Sequence, residues 1–266
     1  MIIFFQSIIL GIIQGTTEFL PISSSAHLVL APWLFNWPDP GLAFDVALHW
    51  GTLIGVIAYF WRDLLDILAN LEFKIKKFGE YNFQTRLFFI LAIASIPGAV
   101  FGLLLEDLAE TAFRSPVLIA FLLAFFGIVI WLADKRNRRK NDLAEIKAGK
   151  GFLIGLSQAL AIIPGVSRSG ATISAALMLG FSRPAAARFS FLLSIPIIFG
   201  AGLAQIPKLS GDILNLALLA GMISAAISGY LAIGWLLRFV RNGSYKIFVW
   251  YRFILAAIIL IIVALK

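Results

Sequence analysis

A carboxylate, a histidine and a run of hydroxyls lie inside one apolar stretch, GIIQGTTEFLPISSSAH (Gly11 to His27). Gln14 and Glu18 are four residues apart and share a helical face. Pro21 breaks the helix, and Ser23, Ser24 and Ser25 open a second apolar half-helix. His27 lies three residues past Ser24, on the same face. A second stretch, PGVSRSGATIS (Pro164 to Ser174), repeats the pattern of a broken helix restarting on serines, with Arg168 between Ser167 and Ser169-Gly170. Serine is a favoured N-cap, and the free N–H groups of a helix start attract anions. Two such starts, five hydroxyls (Ser23, Ser24, Ser25, Ser167, Ser169) and one arginine suit a phosphate, which Arg168 can hold with both arms of its fork. Gln14 and Glu18 offer oxygen ligands to Mg²⁺ or Ca²⁺ when phosphate oxygens complete the shell. Anion clamp, hard-metal ligands, nucleophile (Ser24) and base (His27) together point to phosphoryl transfer.

These groups must be held in a membrane. The chain has 266 residues, of which 61% are hydrophobic and only 14% charged, with a mean hydropathy of +0.95. One soluble core cannot hide that much apolar surface, so the fold class expected is an all-α integral membrane protein. Polar side chains in such a span are costly and mark a functional site by default. The net charge of +8 is no nucleic-acid footprint, because the basic residues sit in loops between apolar segments, where they set topology. No cysteine is present, which excludes disulfides, thiol chemistry and Cys-based metal sites. No removable signal peptide is expected, since residues 1–20 lack a basic n-region and a small-residue cleavage site and carry Glu18.

The apolar segments run over 2–36, 41–61, 86–106, 115–133, 151–181, 185–207, 213–238 and 246–265. The first and fifth are broken at Pro21 and at Pro164-Gly165, into halves too short for secure crossings. They are expected to be re-entrant helical hairpins beside six transmembrane helices. Basic residues concentrate in 62–86, 134–150, 183–188 and 238–246, whereas 107–114 is mostly acidic. With the basic loops cytoplasmic, the second hairpin must return to the side it left. The first hairpin carries no such constraint and is read as re-entrant by likeness. Both termini then lie outside. Trp33, Trp37, Trp61 and Trp131 fall near segment ends, as in an interfacial belt. Leu64, Leu68, Leu71, Ile75 and Phe78 form one helical stripe, expected to lie in the cytoplasmic interface.

The chain repeats itself. Gly11 aligns with Gly155 and Gln14 with Gln158; after a one-residue offset, Pro21 aligns with Pro164 and Ser24 with Ser167. Ser95-Ile96-Pro97 recurs as Ser194-Ile195-Pro196. The single membrane domain is thus expected to be an inverted-topology repeat, 1–133 and 150–266, with both hairpin tips meeting at the site. Asp45 and His49, one turn apart, either line a substrate path or pair with each other, and pairing is the simpler reading. Arg183 and Arg188 are read as topogenic.

EFLPISSSAH with a glutamine four residues before the glutamate, FDVALHWGTL (Phe44 to Leu53) and PGVSRSGATIS together resemble the undecaprenyl pyrophosphate phosphatases, the bacitracin-resistance lipid phosphatases, over residues 5 to 260. The resemblance implies a plasma-membrane enzyme, open to the outer face, that removes the terminal phosphate of undecaprenyl diphosphate and recycles the carrier lipid of cell-wall synthesis. It implies that Glu18 is essential, that Ser24 is the nucleophile, that His27 is the motif histidine and that Arg168 binds phosphate. Gln14 stands where many members carry Glu. Attack by Ser24 and attack by a metal-bound water both remain open. The partners implied are a polyprenyl diphosphate lipid and membrane lipids, without nucleic acid; homodimerisation is open. Broken helices in inverted repeats also suit a flippase or secondary transporter of a phosphorylated polyprenyl lipid.

Overall fold

The computed structural model describes residues 4–72, 74, 77–136, 141–205 and 216–265. It is all-helical, and no strand is present among the described residues. In chain order the helices are α1 (Phe4–Phe19), α2 (Ser24–Phe35), α3 (Leu42–Tyr59), α4 (Trp61–Ala69), α5 (Phe83–Leu104), α6 (Glu106–Glu110), α7 (Pro116–Arg136), α8 (Ala148–Gln158), α9 (Arg168–Met178), α10 (Arg183–Gln205), α11 (Leu216–Asn242) and α12 (Lys246–Leu265). Six of them (α3, α5, α7, α10, α11 and α12) are long and apolar enough to cross a membrane, the number expected. The chain is a multi-pass membrane protein.

The two broken segments end and restart in the same way. α1 stops at Phe19, just before Pro21, whose ring cannot continue the helix. Ser23 then takes φ 73°, and its hydroxyl accepts from Ala26 N at 3.4 Å to cap α2. α8 tightens into a 3₁₀ turn over Ala159–Ile162 and passes Gly165 at φ 100°. Ser167 at φ 72° then caps α9 by accepting from Gly170 N at 3.1 Å. A non-glycine residue at positive φ is uncommon and is kept only where its surroundings demand it. Here the same residue type does so at both breaks. The spacing that separates Gly11 from Gly155 and Gln14 from Gln158 also separates Ser23 from Ser167. The structural counterpart of Ser167 is therefore Ser23, not Ser24, and the offset expected from the two prolines disappears.

Small residues let backbones close up, as they do between helices in lipid. A Cβ added at Gly11 would strike the Gly221 carbonyl, and one at Gly51 the Met222 carbonyl. Farther along, Gly15 meets Ala225 and Ser228, and Gly55 meets Ala226 and Tyr230. Numbers rise together along all three helices, so α1 and α3 both run parallel to α11. Gly151 on Ile90 and Gly155 on Ala94 set α8 parallel to α5 in the same manner. α3 and α10 run antiparallel: Trp50 lies against Gly202, and Asp63 just past the end of α3 pairs with Arg188 near the start of α10.

One end of the bundle is tied by Asp134 of α7. Its carboxylate accepts from Arg183 Nε at 2.5 Å, Ser244 Oγ at 2.7 Å and Tyr245 N at 3.2 Å. Asn141 exchanges backbone bonds with Gly180 and Ser182, and Lys150 Nζ donates to Leu179 O at 3.1 Å, so α9 ends beside the start of α8. Arg183 and Arg188 thus make specific ion pairs in addition to any effect on topology. At the opposite end Arg114 grips Asp39 with two nitrogens and reaches Asp45 at 3.1 Å. Burial alone would weaken the Arg114 charge, but the two carboxylates outweigh it and tighten its hold on its proton.

Two expectations need correction. The stripe from Leu64 does not continue as one helix: α4 stops at Ala69, with Asn70 N closing onto Asp66 O. Leu71 follows outside it, Phe78 begins a separate 3₁₀ turn, and Ile75 lies outside the described residues. Asn70 ends the helix because its side chain bonds back to Asp66 and its carbonyl accepts from Asn82 and Thr85. Ser-Ile-Pro, for its part, falls on α5, the second long helix of its half, and on α10, the first long helix of the other. Its recurrence does not mark equivalent positions.

Candidate active site

The two helix breaks meet. Ser23 Oγ accepts from Gly165 N at 3.0 Å, and Ser169 Oγ donates to Leu20 O at 2.9 Å. Arg252 of α12 is wholly buried and holds both breaks from behind. Its Nε donates to Leu123 O, Nη1 to Pro21 O and Nη2 to Val166 O, each at 3.0 Å, and Nη2 also donates to Gly165 O. Four of its five N–H donors are thus directed at carbonyl oxygens, as burial of a guanidinium requires.

Glu18 is the centre of the joined breaks, with its side chain 5% exposed. Arg168 Nη2, from the other break, donates to Oε1 at 2.8 Å, while its Nη1 donates to Ser190 O at 2.7 Å. Ser24 Oγ donates to Oε2 at 2.5 Å and Gln14 Nε2 to the same oxygen at 3.0 Å. His49 Nε2 of α3 lies 3.3 Å from Oε2. The structure thus brings Gln14, Glu18, Ser24 and Arg168 together as expected. Ser25 Oγ is 3.3 Å from Ser23 Oγ, and Ser167 Oγ is 3.1 Å from Ser169 Oγ. Ser23, Ser167 and Ser169 serve the caps and the cross-break bonds, and the Gly170 N–H is taken by the Ser167 cap rather than offered outward.

His27 is not at the serine hydroxyl. Its Nδ1 is 2.7 Å from Ser23 O and its Nε2 2.6 Å from Tyr251 Oη, with the two rings stacked. The i+3 spacing puts it on the face of Ser24, but the ring turns back along the helix to the i−4 carbonyl. The histidine at the carboxylate is His49, which helical spacing alone pairs with Asp45. His49 does bond Asp45, but through the Asp45 backbone carbonyl at 2.7 Å. The Asp45 carboxylate belongs to Arg114. Nothing in local spacing discloses that pairing; the FDVALHWGTL motif was the available signal. Gln158, aligned with Gln14, ties α8 to α5 by donating to Ala94 O at 2.7 Å.

A hard cation at Gln14 and Glu18 fits this arrangement poorly. Of the carboxylate's about four lone-pair directions, Arg168 takes one on Oε1, while Ser24, Gln14 and His49 crowd the two on Oε2, the oxygen nearest Gln14. Gln14 Oε1 is buried without a partner, but one amide oxygen does not make a site. Among the described residues no three His, Cys, Asp or Glu side chains are grouped to share a metal.

Comparison with known proteins agrees with the motifs. Residues 7–258 match the family model described as bacitracin resistance protein BacA. The chain is 53% identical over 262 residues to the undecaprenyl-diphosphatase of Moorella thermoacetica, covering 98% of each chain. It is 51% identical to that of Desulforudis audaxviator, again over 98% of each, and 47% identical to that of Pelotomaculum thermopropionicum, over 98% of this chain and 97% of the relative. With its paired serine-capped helix breaks closed around Glu18 and Arg168, this chain belongs to the bacitracin resistance protein BacA family.

Proposed function

We propose that the protein is an integral membrane phosphatase that hydrolyses undecaprenyl diphosphate to undecaprenyl phosphate and orthophosphate, with the bacitracin resistance its family name describes. One observation carries the reading: a serine hydroxyl, a carboxylate and an arginine from two different helix breaks form a single hydrogen-bonded line. Arg168 leaves Glu18 for the incoming terminal phosphate. Ser24 Oγ attacks phosphorus as its proton passes to Glu18, and the bridging P–O bond breaks with its electrons on the lipid phosphate. Water then cleaves the phosphoserine, Glu18 returns its proton to Ser24, and the proton lost by water leaves to solvent. His27, held at Ser23 and Tyr251, keeps the first break in shape. A flippase needs the clamp but has no use for a hydroxyl aimed at a carboxylate. If Ser24 is the nucleophile, purified Ser24→Ala binds product and loses nearly all release of orthophosphate from a soluble short-chain prenyl diphosphate. Substantial turnover by that variant moves the attack to water.

The site is read as opening to the outer face of the plasma membrane, at the meeting of two re-entrant hairpins in an inverted repeat. In support, α1 runs with α3, α3 runs against α10, and α9 returns to the end where α8 begins. With no native cysteine, single cysteines report sidedness. Asp107→Cys is expected to react with an impermeant maleimide in intact cells, and Gly79→Cys only after permeabilisation. Labelling of both from one side contradicts this topology.

A further inference from the structure

His49 of α3 joins the Glu18 cluster from outside both helix breaks. Its Nδ1 faces a backbone carbonyl, which can only accept, so Nδ1 carries a hydrogen. Its Nε2 faces Glu18 Oε2 at 3.3 Å, and two acceptors cannot face each other there. The pair therefore holds one further proton. Three other donors converge on the same carboxylate, from Gln14, Ser24 and Arg168, which favours its ionised form and places that proton on the imidazole. The surroundings allow it. Glu18 faces His49 from α1, with Arg168 of α9 on the far side of the carboxylate. Asp45 on α3 itself is paired with Arg114. α10 directs Arg183 to Asp134 and Arg188 to Asp63, and α11 carries Arg238 and Arg241 in its last turns.

We propose that in this chain His49, and not a divalent cation, supplies the positive charge opposite Glu18, and acts as the positioning residue for the carboxylate that takes the Ser24 proton. The inference rests on the hydrolytic reading above. With Glu at position 14, two carboxylates one helical turn apart would call for a cation between them. Gln14 removes one negative charge and His49 adds a positive one, so a single carboxylate lies between two cationic side chains. Stimulation of turnover by Mg²⁺ or Ca²⁺ then arises from metal carried on the diphosphate of the substrate.

Two measurements on the full chain in detergent micelles test this. The first is a titration of substrate-free parent and Glu18→Gln with Mn²⁺, read by electron paramagnetic resonance. The expected result is no binding that depends on Glu18; saturable binding to the parent that Glu18→Gln abolishes overturns the proposal. The second is the pH profile of kcat/KM for the parent, His49→Gln and His49→Ala. Gln keeps a donor to Glu18 without a charge. His49→Gln is expected to lose about tenfold at neutral pH and His49→Ala about 10²-fold, with the basic limb of the parent profile missing in both. Profiles that match the parent overturn it. Should the His49 variants fail to fold, the Mn²⁺ titration of the parent still decides. Should the parent release no orthophosphate, the hydrolytic reading fails, and the titration alone judges the charge at Glu18.

Discussion

Replacing Arg252 with alanine is expected to unfasten the two helix breaks and cost about 3–5 kcal/mol of stability. The guanidinium serves four backbone carbonyls, of Pro21, Leu123, Gly165 and Val166. Those of Pro21, Gly165 and Val166 sit in the breaks, outside any helix, and that of Leu123 faces the guanidinium from within α7. Each carbonyl left without a donor costs on the order of 1–3 kcal/mol, and the vacated volume adds a cavity. Arg252→Lys recovers little, because a compact ammonium cannot span acceptors spread across both breaks. For a domain of this size the loss lowers the thermal midpoint by roughly 10 °C. The check is thermal unfolding of purified parent, Arg252→Ala and Arg252→Lys in one detergent. A midpoint for Arg252→Ala within a degree or two of the parent contradicts the clamp.

That clamp also marks where the sequence stops being informative. The breaks were legible because Pro21, Pro164-Gly165 and the serines after them have local meaning: proline ends a helix and serine caps the next. The six long helices were legible from apolar run length. Arg252 was not, because its partners are main-chain carbonyls, which carry no residue signature. His49 was assigned to Asp45 by helical spacing, yet the ring met only the Asp45 backbone. The carboxylate was drawn away by Arg114, 69 residues along the chain. His27 shows the same limit from the other side, since spacing fixed its face but not which way its ring turned. Aligning on the prolines pairs Ser24 with Ser167, whereas the residues that share a positive φ and cap the restarted helices are Ser23 and Ser167.

The largest effect on activity is expected at Glu18. Glu18→Gln keeps shape and one hydrogen-bonding oxygen but cannot take the Ser24 proton or balance the charge of Arg168. It removes the base and misplaces the arginine together, so kcat/KM falls by about 10³-fold or more. Arg168→Lys is expected to fall less, by about 10²-fold, roughly 3 kcal/mol of transition-state stabilisation. The charge survives while the fork that spans Glu18 and the Ser190 carbonyl is lost. Near-parental activity in Arg168→Lys would make the arginine a structural tie between the breaks.

The measurement that bears most directly on the Glu18 centre is orthophosphate release from undecaprenyl diphosphate by purified, folded parent and Glu18→Gln in lipid vesicles, at matched protein concentration and thermal midpoint. Rapid release by the parent and a loss of about 10³-fold in Glu18→Gln is the result this site predicts. Release by Glu18→Gln within a fewfold of the parent would contradict it and place the chemistry elsewhere in the molecule.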